Sequence, residues 1–292
     1  MKPAFSVIFL TTLIGAAQGL LLALFGIELA GLWGLQVPRS GSGFYTMGAA
    51  TALVLSGVGL ASSFFHLGRP ERAWRSAAMW RTSWLSREVI VLPAFMACVF
   101  VYGFAHHLST GNDTPNALAT VGLAGLSSVL ALALFVCTGM IYACLPFLRE
   151  WHSPLTVINY TLLGSASGVL LAGALSIQFA QELSAQLAAW ALMLTLLGWL
   201  FRSLSLWRNQ RLRPKSTIQT AIGIKHPQIV QKSAGFLGGS FNTREFFHGQ
   251  SSRVMQAVKW GFLWLAFVLP ALLLATALNN ESYRLMPWIF LL

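Results

Sequence analysis

Charge is what this sequence has least of. Only 9% of its 292 residues are Asp, Glu, Lys or Arg, against roughly 25% in an ordinary soluble domain. A soluble enzyme of this length is excluded, because its surface could not be kept in water. Disorder is excluded as well, since disordered chains are poor in apolar residues, and here 56% are apolar. Cysteine is scarce: Cys98, Cys137 and Cys144 form neither a disulfide framework nor a CxxC pair. An iron–sulfur cluster usually needs four thiolates, so the chain holds none by itself, and the three read as small buried apolar residues. Period-two alternation is missing, which argues against a membrane β-barrel. The first apolar run is too long for a signal-peptide core, so no cleavable leader is expected. No broken helices recur in two halves and no inverted repeat is visible, which weighs against a secondary transporter.

Long apolar runs are what the sequence does have. A helix needs ~20 apolar residues to cross a bilayer. Seven such runs occur, at about 5–31, 44–66, 88–107, 115–141, 155–181, 185–206 and 256–278. An eighth begins near Arg284 and reaches only Leu292, so it reads as a cut-off span with more chain expected beyond. The expected fold is all-α, a polytopic transmembrane helix bundle forming one membrane domain over 1–292.

The few charges are lopsided, with 19 Lys and Arg against 8 Asp and Glu. Threading the chain through seven spans sorts them. Every basic residue except Arg39 and Arg284 falls on the side that holds the N-terminus, while Glu28, Asp113, Glu182 and Glu281 fall on the other. Basic residues stay cytoplasmic, so the N-terminus is expected in the cytoplasm. A basic surface that docks an acidic protein would give the same pattern.

Small residues at four-residue spacing mark three spans: Gly15–Gly19–Ala23, Gly48–Ala52–Ser56 and Gly164–Gly168–Ala172. Such stripes let helix backbones approach closely where lipid supplies no hydrophobic drive. They are expected to be packing seams.

The segment from His66 to Glu88 holds five Arg, three Trp, one His and two Glu. One reading is structural. Gly68 suits a left-handed helix end followed by Pro70, His66 can meet the last free carbonyls, and Ser86 can cap the third span with Glu88 in its first turn. The other reading is a site. Ionisable groups held at a membrane face are costly unless solvated or paired, and they often mark function. A quinone needs an apolar slot, aromatic walls, a donor for each carbonyl and a water-connected proton source, a task that suits histidine. Trp74, Trp80 and Trp84 also fit an ordinary interfacial belt.

The pattern His66-Leu-Gly-x-Pro-x-Arg-Ala73, followed by Leu85-Ser-x-Glu88, resembles the membrane anchor subunit of DMSO reductase-type molybdoenzymes, and the first span with Gln18 is similar too. The resemblance covers essentially the whole chain. The stretch 235–249, GFLGGSFNTREFFHG, is similar to one branch of that family. The resemblance implies about eight helices and no metal in the anchor itself. It implies two partners, a molybdopterin catalytic subunit and a ferredoxin-like iron–sulfur subunit, with a quinone (ubiquinone or menaquinone) bound in the anchor near the clusters. It places the quinone histidine at His66 and the acidic partner at Glu88. Arg69, Arg72, Trp84 and Gln18 are added as quinone-site candidates. A bacterial inner membrane is implied. The charge count puts the partner face in the cytoplasm, which fits the branch that oxidises sulfite and reduces quinone. The alternatives are a quinol-oxidising anchor of a DMSO or related reductase and, from another class, a transporter or a purely structural anchor.

The stretch 207–255 is a long, basic loop. It reads either as a solvated topogenic loop or as the dock for the iron–sulfur subunit, with Arg244, Phe246 and Phe247 meeting that partner. Basic residues there also attract anionic membrane lipid. Nucleic acid is not expected, since the charges follow a membrane face. A membrane b-haem wants two His at matched depth; His66 and His152 form the one same-side pair near helix ends, and no haem is expected. His106 and His107, at the far end of the third span, read as interfacial. Glu28 reads as an interfacial charge, with a proton path as the alternative.

Overall fold

The computed structural model describes residues 5–34, 38, 40–109, 117–146, 148–212, 218–226, 228–229 and 251–291, without the side chains of His66, Ile218 and Ala221. Among these residues the regular structure is entirely helical. Six spans are single helices: α1 (Phe5–Leu32), α2 (Ser42–Ser63), α3 (Trp84–Leu108), α4 (Ala117–Ala143), α5 (Pro154–Phe179) and α6 (Ser184–Gln210). A five-residue helix, α7 (Ile218–Ile222), follows. The seventh span is composite: α8 (Ser252–Leu263), a π-helical stretch Trp264–Val268, and α9 (Leu269–Asn279). The wide turns precede Pro270, whose ring and missing N–H disturb the α ladder. In lipid each backbone polar group must be satisfied within the chain, and helices accomplish that. Seven helices are long and apolar enough to cross a membrane, as the apolar runs predict. The eighth run folds into short turns, with α10 (Met286–Phe290) packed on α5.

Contacts between helices define two ends of the bundle. Gly59 lies against Leu10 and Ile14, and Gly48 against Leu24, so α1 and α2 are antiparallel. Gly103 meets Ala49, and Gly139 meets Val157. The start of α1 therefore shares a face with the end of α2, the start of α3, the end of α4 and the start of α5. We call this the proximal face and the opposite one distal. Arg69, Arg72, Arg75, Arg81, Arg87 and Arg149 lie at the proximal face.

Helix α1 is the centre. It packs on α2, α4 and α5, and α3 closes the ring between α2 and α4. The α1–α5 seam is parallel and very close. A Cβ added at Gly19 would sit 2.2 Å from Gly164 O, and one at Gly168 would sit 2.0 Å from Leu20 N. The first and third small-residue stripes thus pack against each other. The second is also an interior stripe, with Gly48, Ala52 and Ser56 all buried.

Several expected boundaries shift. Span three begins at Trp84 because Ser83, not Ser86, is its cap: Ser83 Oγ accepts the Ser86 N–H at 3.4 Å. Hydropathy alone misses this polar first turn. Gly68 is not left-handed. Helix α2 instead tightens into a 3-10 turn, Phe64–His66, after which Leu67 is extended. Helices α6 and α8 also reach into the two ends of the stretch 207–255. Arg244, Phe246 and Phe247 lie outside the described residues.

Candidate functional site

The proximal face is built by a short interfacial segment. After the turn at His66 the chain runs through Arg69 into a ten-residue 3-10 helix, Pro70–Met79, that buries none of its residues. Trp74 and Trp80 are exposed, and Arg75 and Arg81 each stack over the preceding Trp, both at 5.4 Å. Arg87 fastens this segment to α3. It donates to Trp80 O at 2.9 Å and Arg81 O at 2.8 Å, and its guanidinium lies 4.1 Å over the Trp84 ring.

Glu88 lies one turn further into α3, on the same side as Trp84, since residues four apart share a helix face. The Thr138 hydroxyl of α4 donates a short hydrogen bond to Glu88 Oε1. Both line a cavity of about 160 Å³ between α1, α3 and α4, whose other walls include Leu10, Thr11, Leu85 and Tyr142. A cavity of roughly 150 Å³ takes one benzene ring, so this one is on the scale of a single quinone head. Its lining is mostly apolar, with a carboxyl and hydroxyls among it. That donor set and size fit a quinone ring. Tyr142 stacks on Tyr160 of α5 with centroids 5.7 Å apart, which stiffens that wall. Tyr142 and Thr138 carry no sequence signal of their own; only their place on α4 opposite Glu88 singles them out.

Among the described residues, none of the other site candidates lines this cavity. The backbone of His66 closes the 3-10 turn that ends α2, and this turn packs on α1; the His66 side chain lies outside the described residues. Arg69 and Arg72 are exposed, and Arg72 Nε is 3.9 Å from Glu71 Oε1. Gln18 is buried in mid-span of α1, on the helix side that carries Thr11, two turns deeper. His152, the residue paired with His66 in the haem reading, has Nδ1 2.6 Å from Ala143 O. Arg208 of α6 pins the same loop by donating to Arg149 O and His152 O at 3.1 and 3.2 Å. Burial in that loop raises the Glu150 carboxyl above the usual carboxylate range.

The distal end holds a second cluster that sequence reading missed. Glu28 is not an exposed interfacial charge; its side chain is 11% exposed. His106 Nε2 lies 3.3 Å from Glu28 Oε1, and Tyr102 donates its hydroxyl to Glu28 Oε2 at 3.1 Å. The Tyr45 ring stacks on the imidazole at 4.6 Å, and Tyr102 meets it edge-on at 4.8 Å. Tyr102 and His106, four apart in an apolar span, are the signal that could have revealed it.

Comparison with known proteins decides the kinship. The model of the DMSO reductase anchor subunit (DmsC) matches residues 1–283. The chain belongs to the DMSO reductase anchor subunit family. It is also 52% identical over 280 residues to a sulfite dehydrogenase subunit of Allochromatium vinosum, covering 94% of this chain and 86% of that protein. No solved structure matches the chain. A DMSO reductase anchor is a membrane subunit of an oxidoreductase complex, in agreement with the resemblance carried by His66–Ala73 and Leu85–Glu88.

Proposed function

We propose that this anchor is the quinone-reactive subunit of a molybdenum and iron–sulfur complex that oxidises sulfite and reduces the membrane quinone pool. The observation that carries the reading is Glu88 with its Thr138 hydrogen bond at a largely apolar cavity of ring size, near the proximal end of α1, α3 and α4. A bound quinone takes up two electrons and two protons. The residues here would orient it and supply protons: His66 from the rim, Glu88 from the inner wall, with Tyr142 as an aromatic side and Trp84 one turn outward on the Glu88 face of α3. Arg69 and Arg72 frame the entrance from the exposed segment, and Gln18 marks the deep end. Three cysteines are fewer than the four thiolates an iron–sulfur cluster usually needs, and in this reading the electrons come from a ferredoxin-like partner fed by a molybdopterin subunit. That partner docks on the basic proximal face, with Arg244, Phe246 and Phe247 in contact. Positive-inside bias supports a cytoplasmic position for this face, and the resemblance supports a bacterial inner membrane. The similarity to a sulfite dehydrogenase subunit supports sulfite as donor; the family description supports the second reading, a quinol-oxidising reductase anchor.

The test uses the intact complex. His66→Ala should lower sulfite-to-quinone activity by at least about 100-fold, the scale of a lost proton-transfer group. Sulfite oxidation with an artificial dye acceptor should be unchanged. Quinone turnover at the parental rate would refute the site. Quinol-dependent reduction of a sulfoxide, with no sulfite oxidation, would favour the second reading.

A further inference from the structure

The distal cluster has no role in the reading above. A carboxyl, an imidazole and two phenols sit together inside the apolar end of a membrane bundle, where ionisable groups are costly and tend to serve function. The groups come from three helices: Glu28 from α1, Tyr45 from α2, Tyr102 and His106 from α3. The imidazole is 3% exposed, and Glu28 keeps a small exposed edge at 11%. Its place near the end of α1 puts that edge at the distal face. A carboxyl and an imidazole 3.3 Å apart can pass one proton between them, and of the two the carboxyl is the less buried.

Between this pair and Glu88 the bundle interior is not purely apolar. Gln18 Nε2, Ser56 Oγ and Ser128 Oγ are buried and have no hydrogen-bonding partner among the described residues. Packing fixes their depth. Gly59 against Ile14 and Gly48 against Leu24 put Ser56 level with the turn of α1 just before Gln18. Gly125 against Phe25 and Phe135 against Gly15 put Ser128 between Gln18 and Phe25. From the Thr11 level of the cavity to the Glu28 level, the successive steps through Ser56, Gln18 and Ser128 are then about 8, 2, 6 and 9 Å along the axis at about 1.5 Å per residue. Buried polar atoms that lack a protein partner are normally met by ordered water, and the two longest steps would each take about two or three waters at ~2.8 Å per hydrogen bond.

We propose that the Glu28–His106 pair is a proton-exchange site on the distal face, joined to the Glu88 cavity through the hydrated polar interior of α1–α4. When quinone is reduced, two electrons arrive from the partner's iron–sulfur centre at the proximal face. Two protons are taken up, at least one of them drawn from the distal aqueous phase. When quinol is oxidised the same proton returns there. Quinone turnover thus moves charge across the membrane. This inference rests on the quinone reading at Glu88.

The experiment reconstitutes the whole complex in liposomes, with sulfite as donor, decyl-ubiquinone as acceptor and a potential-sensitive dye. The wild-type complex should build a membrane potential that scales with quinone reduced. Glu28→Gln should cut the potential per quinone at least five-fold, and Glu28→Asp should restore most of it; sulfite oxidation with an artificial dye acceptor should be unchanged in both. A wild-type complex that turns over without any potential overturns the proposal, as does a Glu28→Gln complex that retains the full potential. Should Glu28→Gln fail to assemble, a pH indicator trapped inside wild-type liposomes decides. Proton loss from the distal compartment supports the route, and uptake from the proximal side alone overturns it. Glu88→Gln separates the two readings: if it leaves quinone turnover intact, the quinone site itself is misplaced.

Discussion

Two carboxylates, Glu88 and Glu28, stand at opposite ends of the same four helices, and they are held in opposite ways. Glu88 accepts one hydroxyl and faces an opening large enough for a ring. Glu28 is enclosed by an imidazole and two phenols. The difference teaches what each can do. A carboxyl beside a cavity can meet a ligand. A carboxyl enclosed by aromatic rings except for a small edge can meet only protons and water. Net charge or hydropathy makes the two look alike, and only their neighbours separate them.

The strongest way to break this contrast is to neutralise each acid in turn. Glu88→Gln should lower quinone-linked turnover by at least about 100-fold, as expected for loss of a general acid–base group. Glu28→Gln should cost less than about ten-fold in solubilised complex, where no potential can build. Equal losses in steady-state assays would erase the distinction. The next effect concerns the hydroxyls that each acid accepts. Thr138→Val keeps the shape but removes the donor to Glu88. A typical hydrogen bond contributes ~0.5–1.5 kcal/mol net, so turnover should fall about two- to ten-fold. Tyr102→Phe removes the donor to Glu28 and should show instead as lower thermal stability of the complex, with quinone KM unchanged. A rise in KM there would place quinone near the distal cluster. The smallest effect is expected at the exposed Glu71–Arg72 pair, 3.9 Å apart. Glu71→Gln should change stability by under about 1 kcal/mol, the range for surface ion pairs, and a large loss of quinone activity would move the site outward onto the interfacial segment.

Much of the fold was legible because apolar runs of span length have few alternatives in a bilayer. The Gly15–Gly19 and Gly164–Gly168 stripes were legible as seams for the same reason: only backbone contact requires such spacing. Their mutual pairing was not, since nothing in either stripe names its partner. Helix starts were misread where caps decide, as at Ser83, because one hydroxyl outweighs a polar first turn. At the candidate site, Glu88 stood out through its motif. Thr138 and Tyr142 did not, since a hydroxyl in an apolar helix gives no pattern until an opposing helix arrives. Glu28 was read as interfacial because distance from the helix end suggests exposure, whereas three aromatic neighbours from other helices remove it. His66 kept its place at the end of α2, and the interfacial segment after it folded as a 3-10 helix where hydropathy showed only a polar gap.

The parallel seam between α1 and α5 also dictates an order of birth. Gly19 emerges from the ribosome early, but its partner Gly164 is made only after three further spans have been threaded into the membrane. At roughly 5–20 residues added per second, on the order of ten seconds pass before α1 can close against α5. During that interval the first four helices, which carry both carboxylates, must be held by their own antiparallel contacts or by the insertion machinery. Truncation before the fifth span therefore leaves α1 with an uncovered glycine groove, a surface that quality-control proteases can recognise.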